Sequence, residues 1–219
     1  MSLVMYLYRA PKYQNTTAKE IKLIESYLEW QKEKEKNSKY NCDTFEKWCN
    51  HSENELPNKD VIDFYKSYYD RKEVYMETIG NAHAYSIFEQ LARFVKTNPI
   101  FNWFYNNIMS QKFDREYHKV TKEQLERFLD TCEKVREGIV LIKENEYKIP
   151  EMDEYKIDEN LAKNLLPTYD NEQIYFGPNQ YGGLYAFWII NASNVVRNIL
   201  NTTDFEKQTI YLNFTSTIG

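Results

Sequence analysis

The side chains best suited to chemistry in this chain are three cysteines and three histidines, which could pair as nucleophile and base. A thiol becomes a nucleophile when a nearby base or helix N-terminus lowers its pKa. Cys132 falls on the apolar face of a predicted helix, so we interpret it as a core residue. Cys42, Cys49 and His51 could offer three zinc ligands, but their spacing is not that of closed zinc sites and no fourth ligand is evident. We predict no catalytic residue, no metal site and no cofactor.

A second group brings a histidine next to a tyrosine and a carboxylate, at Glu116, Tyr117 and His118. Such a group could move protons or bind phosphate near neutral pH. The alternative, which we favour, is an edge strand with alternating exposed side chains. Arg9 follows the first predicted strand and could lie at an end of the same sheet. The candidate ligand-binding residues are therefore Arg9, Lys96, Asn98, Tyr117 and His118.

Motifs and charge exclude several functional classes. The chain contains no G-x-G-x-x-G, Walker, G-x-S-x-G or H-E-x-x-H sequence, so nucleotide or hydrolase machinery of those kinds is unsupported. A net charge of −5 is not typical of a duplex-binding protein. The basic and aromatic stretch from Phe64 to Lys72 could stack single-stranded nucleic acid. It could equally be a helix end or a protein interface, so we do not expect nucleic acid as the partner.

The apolar periodicity predicts a set of helices packed on a small sheet. Capping boxes begin helices at Thr17 with Glu20, at Ser86 with Glu89 and at Thr121 with Gln124. Helices are predicted at 17–36, 43–49, 58–69, 87–95, 100–109, 122–135, 161–166 and 184–200, and strands at 3–8, 116–120, 174–176 and 210–214. Asn98 is expected to cap the helix that Pro99 starts. The sum is an α+β fold with a mostly antiparallel sheet, built from the N-terminal strand, central short strands and the C-terminal strand.

The same reading predicts one domain over residues 1–219, with insertion-like excursions at about 37–82 and 143–158. The apolar run at the start is too short for an export signal and is followed directly by Arg9. No stretch approaches the length of a spanning helix. Three unevenly spaced cysteines are typical of reduced thiols. We therefore expect a cytoplasmic protein without a membrane partner.

Several stretches, in order, resemble a family of uncharacterised proteins found in tailed phages, prophages and gut bacteria. The opening MSLVMYLYRAP is similar to its Met-Gly-Leu-Asp-Met-Tyr-Leu-Tyr start, and FVKTNPIFNWF, residues 94–104, to its Trp-Arg-Lys-Ala-Asn-x-Ile-His-x-Trp-Phe segment. YHKVTKEQLERFLDTCEKV, residues 117–135, resembles a later family helix. LLPT at 165–168, IYFG at 174–177, the pair Tyr181 and Tyr185, and the closing IYLNFTST resemble downstream blocks. The resemblance implies a phage or prophage origin and no particular activity.

The departures from the family pattern concern polar positions. Lys96 and Asn98 are kept, but Val95 stands at the family's arginine position and Phe101 at its histidine position. Any chemistry of that arginine and histidine could not occur here in the same way. Acidic positions of the late helix become Gly182 with Gly183 and the apolar pair at 187 and 188, which changes the character of that surface.

The predicted helix from Leu184 to Leu200 carries no charge before Arg197. Either the domain encloses it or one side meets another chain. The candidate interface residues are Tyr181, Tyr185, Phe187 and Trp188. Our leading hypothesis is a non-enzymatic accessory protein of phage or prophage type that acts through protein–protein contacts, with a second copy or a host or phage protein as partner. The alternative is a small-ligand or nucleic-acid binder, or an enzyme, that uses a polar cluster around Tyr117 and His118.

Overall fold

The computed structural model describes residues 2–36, 58–76, 88–114, 116–142, 155–170 and 175–217. Over these ranges the fold is α+β, as the sequence predicts. The strands are β1 Ser2–Pro11, β2 Glu89–Val95, β3 His118–Val120, β4 Ile139–Leu141, β5 Tyr155–Ile157 and β6 Gln208–Thr217. The helices are α1 Ala18–Lys36, α2 Lys59–Met76, α3 Asn98–Asn107, α4 Lys122–Arg136, α5 Glu159–Leu165 and α6 Gly183–Thr202.

The chain divides into two compact units. The main unit comprises residues 1–9 and 90–219, and the inserted unit comprises residues 10–89. In the inserted unit α1 packs on α2, and the buried Tyr65 donates a hydrogen bond to the carbonyl of Pro11 at 2.8 Å. The single domain with excursions at about 37–82 and 143–158 stays a prediction, because most residues of both excursions lie outside the described ranges.

The main unit is built on an antiparallel sheet with the strand order β2-β1-β6-β3. Leu3, Met5 and Leu7 of β1 enter the core, as do Ile210 and Leu212 of β6. In the register of β3 and β6, His118 lies opposite Leu212 and Val120 opposite Ile210. Side chains from α3, α4 and α6 fill this core. The strands predicted at 3–8 and 210–214 are confirmed. Both are buried on their two faces, since Val4 and Tyr211 are buried as well as the residues that enter this core.

The predicted helix at 87–95 is wrong, since residues 89–95 form β2. Ala92 and Phe94 are buried while Arg93 between them is exposed, which is the alternation of a strand. The helix was predicted because Ser86 and Glu89 have the spacing of a capping box. Ser86 itself lies outside the described residues.

The strand predicted at 174–176 is also not observed for its described residues. Tyr175 and Phe176 have no regular structure. Phe176 is nevertheless buried, with its ring centroid 5.7 Å from that of Phe101 and 4.5 Å from that of Tyr169. Apolar residues of an irregular segment can therefore pack into the core, because burial does not require a strand.

Two capping boxes form as predicted. The Thr17 and Glu20 side chains exchange hydrogen bonds with each other's backbone N–H groups at the start of α1, and Thr121 and Gln124 do the same for α4. The predicted cap of α3 is wrong, because the capping position is taken by Thr97, which makes no side-chain capping bond. Asn98 lies inside the first turn, and its side chain has a different function.

A short antiparallel hairpin of β4 and β5 was not predicted. Ile139 lies opposite Ile157, and Leu141 lies opposite Tyr155. The β5 strand packs against α6, and in the described residues β4 pairs with β5 alone. Among the described residues, β4 and β5 therefore each leave one edge of this small sheet without a strand partner.

Candidate functional site

His118 is held by a carboxylate. Its Nε2 lies 2.7 Å from Oδ1 of Asp114, which also accepts the backbone N–H of Glu116 at 3.0 Å. Burial raises the pKa of Asp114, but the hydrogen bonds from His118 and from the Glu116 backbone outweigh it and lower the pKa overall. The bond to Asp114 fixes the orientation of the imidazole ring.

Tyr117 belongs to a different surface from His118. Its ring centroid lies 5.9 Å from that of Tyr8, which in turn stacks on Tyr6 at 5.6 Å. Arg93 donates from Nε to the Tyr6 hydroxyl at 3.4 Å. Since Tyr8 alternates with core residues of β1 and His118 lies opposite a core residue of β6, the two side chains face opposite sides of the sheet. The predicted Tyr117 and His118 cluster is therefore not a single site.

Asn98 joins two segments of the main unit. The residue is 1 % exposed, its Oδ1 accepts the N–H of Tyr169 at 2.6 Å, and its Nδ2 donates to the carbonyls of Tyr169 at 2.9 Å and Gly177 at 3.0 Å. All three bonds are to backbone groups of the loop that precedes α6. This amide is thus committed to structure and is not presented to a ligand.

Lys96 supports the same junction through its backbone. It has a positive φ of 53°, and Gly177 opposite has φ 118°. A Cβ atom built at Gly177 would lie 2.1 Å from the carbonyl oxygen of Lys96. The chain needs glycine here because the two backbones touch.

Arg9 binds the end of a helix. Its Nη1 donates to the carbonyl of Thr202, the last residue of α6, at 2.8 Å. Carbonyls of the last helical turn lack intrahelical partners, and a cation is favourable there. The five candidate ligand-binding residues therefore serve several separate structural contacts.

The candidate interface residues on and before α6 mostly pack within the chain. Tyr185 is fully buried and donates to the carbonyl of Leu166 at 2.7 Å, and burial raises its pKa. Trp188 is 8 % exposed and belongs to the core, and the half-buried Phe187 packs against it. The Tyr181 hydroxyl accepts the N–H of Thr168 at 2.9 Å. These placements favour the enclosed alternative for Tyr185 and Trp188.

The thiol of Cys132 lies in the core of the main unit. Cys132 is free and buried, and burial, together with Glu133, raises its pKa. Cys42, Cys49 and His51 lie outside the described residues. Within the ranges that the structure does describe, no group of three or more His, Cys, Asp or Glu side chains could hold a metal ion.

Sequence reasoning missed a cleft of about 340 Å³ in the main unit. It lies among α3, α4 and the segment after α5. Its lining residues are Asn102, Trp103, Asn106, Asn107, Arg127, Thr131, Leu165, Leu166 and Pro167. The available signal was the spacing of Asn102 and Asn106, one helical turn apart and hence on one face of α3.

Arg127 is the charged side chain of the cleft. Its Nη2 donates to Oδ1 of Asn107 at 3.2 Å, and its Cζ lies 5.5 Å from the ring centroid of Trp103. Asn106 donates to Oδ1 of Asn102 at 2.7 Å, and Asn102 donates to the carbonyl of Pro167 at 2.8 Å. The cleft is therefore polar, with its side chains ordered by one another.

A second exposed feature is an apolar strip at the hairpin. Val140, Leu141 and Ile142 are consecutive and are 61, 38 and 48 % exposed. Because successive side chains of a strand point to opposite faces, Val140 and Leu141 make both faces of β4 apolar on the surface. Apolar surface of this kind is a feature of contact sites.

Comparison of the chain with family models, with curated proteins and with solved structures gave no match. None of the helices in the described part of the chain combines the length and the apolar character that crossing a membrane requires.

Proposed function

We propose that this is a non-enzymatic accessory protein of phage or prophage type that acts through protein–protein contacts, and that the strip Val140–Ile142 is its contact surface. The observation that carries the proposal is the exposure of these three consecutive apolar side chains. The phage or prophage origin rests on the ordered motifs of the resemblance. A cytoplasmic location belongs to the same proposal and is supported by the free thiol of Cys132.

The position of the strip suits a strand-mediated contact. An edge strand offers backbone N–H and C=O groups to an incoming strand, and the flanking apolar side chains then lose their contact with water. The partner is a second copy of this chain or a host or phage protein. A twofold pairing of two β4 strands would satisfy both edges at once.

The candidate ligand-binding residues also support the proposal, because several of their side chains already bind other groups of the same chain. Asn98 and Arg9 bind backbone groups, and His118 is paired with Asp114. The alternative function at Tyr117 and His118 requires their side chains to converge in one pocket, whereas they face opposite sides of the sheet. The exposed strip is therefore the better-supported surface.

Site-specific crosslinking tests the contact. The photoreactive residue p-benzoylphenylalanine would replace Val140 or, separately, Ile142, and the exposed Glu126 on α4 as the control position. We expect adducts from both strip positions after irradiation of the purified protein or of host cells. An adduct of twice the 26.4 kDa chain indicates self-association, and another mass indicates a different protein. The proposal is wrong if positions 140 and 142 give no more adduct than position 126.

A further inference from the structure

We propose that the cleft of the main unit binds a small organic carboxylate, with Arg127 as the group that receives the carboxylate oxygens. The cleft is separate from the exposed strip, so this inference goes beyond the contact function.

The charge of Arg127 is not neutralised within the described residues. Arg136 and Arg197 both pair with Glu133, at 3.1 and 2.6 Å, whereas Arg127 has only the amide oxygen of Asn107 as a side-chain acceptor in those ranges. A guanidinium carries five N–H donors in a planar fork that matches a carboxylate. Arg127 therefore keeps donors that a bound anion can use.

The guanidinium is also held in place before any ligand arrives. It lies over the ring of Trp103, whose own centroid is 5.1 Å from that of Phe104 and 4.9 Å from that of Phe128. Trp103 is thus fixed by the core, and the cation–π contact and the bond to Asn107 orient Arg127. A preoriented donor loses less conformational entropy when it binds.

The other wall supplies groups for the rest of the ligand. Asn102 and Asn106 are locked by the bond between their amides, and Asn106 also accepts from Gln111 at 3.0 Å. Asn102 uses one amide N–H on the carbonyl of Pro167, and an amide has two. Leu165 adds apolar surface. A ligand with an amide or hydroxyl group next to its apolar part fits this lining.

Size and charge define the ligand class. A volume of about 340 Å³ is at the small end of the ~300–1,000 Å³ that small-molecule sites span. Arg127 is the one cationic side chain among the described residues that line the cleft. One positive charge balances a carboxylate, whereas a phosphate monoester carries about two negative charges near neutral pH. The lining therefore favours a monocarboxylate.

Hippurate, which combines a carboxylate, an amide and an aromatic ring, is a suitable probe for the full chain. Binding is measured by calorimetry and by the NMR shift of the Arg127 Nε–Hε signal. Hippuramide is the neutral analogue and phenyl phosphate is the phosphate arm. The variant is Arg127→Gln, and Lys122→Gln removes a charge from the same helix outside the cleft lining.

We expect hippurate to shift the Arg127 signal and to bind the Lys122→Gln variant with unchanged affinity. Arg127→Gln and the use of hippuramide should each weaken binding by roughly 10- to 100-fold, the range for losing a charge-assisted bidentate contact. The proposal is overturned if hippurate fails to bind at millimolar concentration, if Arg127→Gln leaves its affinity unchanged, or if phenyl phosphate binds more tightly.

Discussion

Replacement of Asn98 should destabilise the main unit strongly, although the residue lies at the first turn of a helix. Asn98→Ala removes three hydrogen bonds of 2.6, 2.9 and 3.0 Å at a side chain that is 1 % exposed. A buried group left without its partner costs about 1–3 kcal/mol, but the half-buried Tyr169 can recover part of this from water. We therefore expect a loss of about 2–4 kcal/mol in the free energy of unfolding, a large part of the ~5–15 kcal/mol of a typical domain.

The companion variant Asn98→Asp separates hydrogen bonding from side-chain volume. A carboxylate keeps the acceptor for the N–H of Tyr169, but it places a negative charge against the carbonyls of Tyr169 and Gly177. We expect this variant to be less stable than Asn98→Ala at pH 8. It should regain stability toward pH 5, because a buried carboxyl surrounded by acceptors becomes protonated at a raised pH.

Urea unfolding followed by tryptophan fluorescence is the assay, since Trp103 and Trp188 both lie in the core of the main unit. The exposed Asn194 on α6 provides the matched control, and Asn194→Ala should change stability by less than about 0.5 kcal/mol. Our reasoning is refuted if Asn98→Ala loses less than about 1 kcal/mol with an unchanged m-value. A variant Asn98→Asp that is more stable than Asn98→Ala at pH 8 would also refute it.

Two further predictions concern backbone contact and pH. Gly177→Ala should lose more than about 3 kcal/mol or fail to fold, because its Cβ would lie 2.1 Å from a facing carbonyl and φ is +118°. Gly182→Ala is the control, because a Cβ atom built at Gly182 would meet no other atom within 4 Å. Equal urea midpoints for the two variants would contradict the argument. Asp114 has a lowered pKa in the native state, so its stabilising effect is full above the ordinary pKa near ~3.9 and is lost as the pH falls through the native value. Asp114→Asn should therefore be less stable than the wild type at pH 7, by under about 1 kcal/mol because the carboxylate is 38 % exposed, and the difference in urea midpoint should shrink as the pH falls below about 4. A difference that grows as the pH falls below about 4 would show that the bond to His118 is not the cause.

The long elements could be predicted from the sequence because their signals are repeated many times. The first strand is a dense apolar and aromatic run, the last strand alternates over several residues, and α1 and α4 begin with capping boxes that form as expected. The segment from Glu89 to Val95 was misassigned because seven residues fit both a helix face and a strand face. The alternation of Ala92 and Phe94 around an exposed Arg93 decides for the strand, and burial becomes visible only in the folded chain.

The cleft could not be predicted because its lining residues are far apart in the chain. Asn102, Arg127 and Pro167 meet only through the packing of α3 and α4 beside the segment after α5. The enclosure of Trp188 has a related explanation. A helix without charged residues can be buried in the core of its own domain or can pack against a partner's surface. Periodicity alone does not distinguish the two.

The inserted unit enters and leaves the main unit through β1 and β2, which are neighbours in the antiparallel sheet. The end of β1 and the start of β2 therefore meet at one rim of that sheet, where an ordinary hairpin turn would also connect them. Sequence between these two strands can therefore be gained, lost or exchanged during evolution without altering the order β2-β1-β6-β3. A chain with a shorter or longer segment between β1 and β2 could accordingly keep the same main unit.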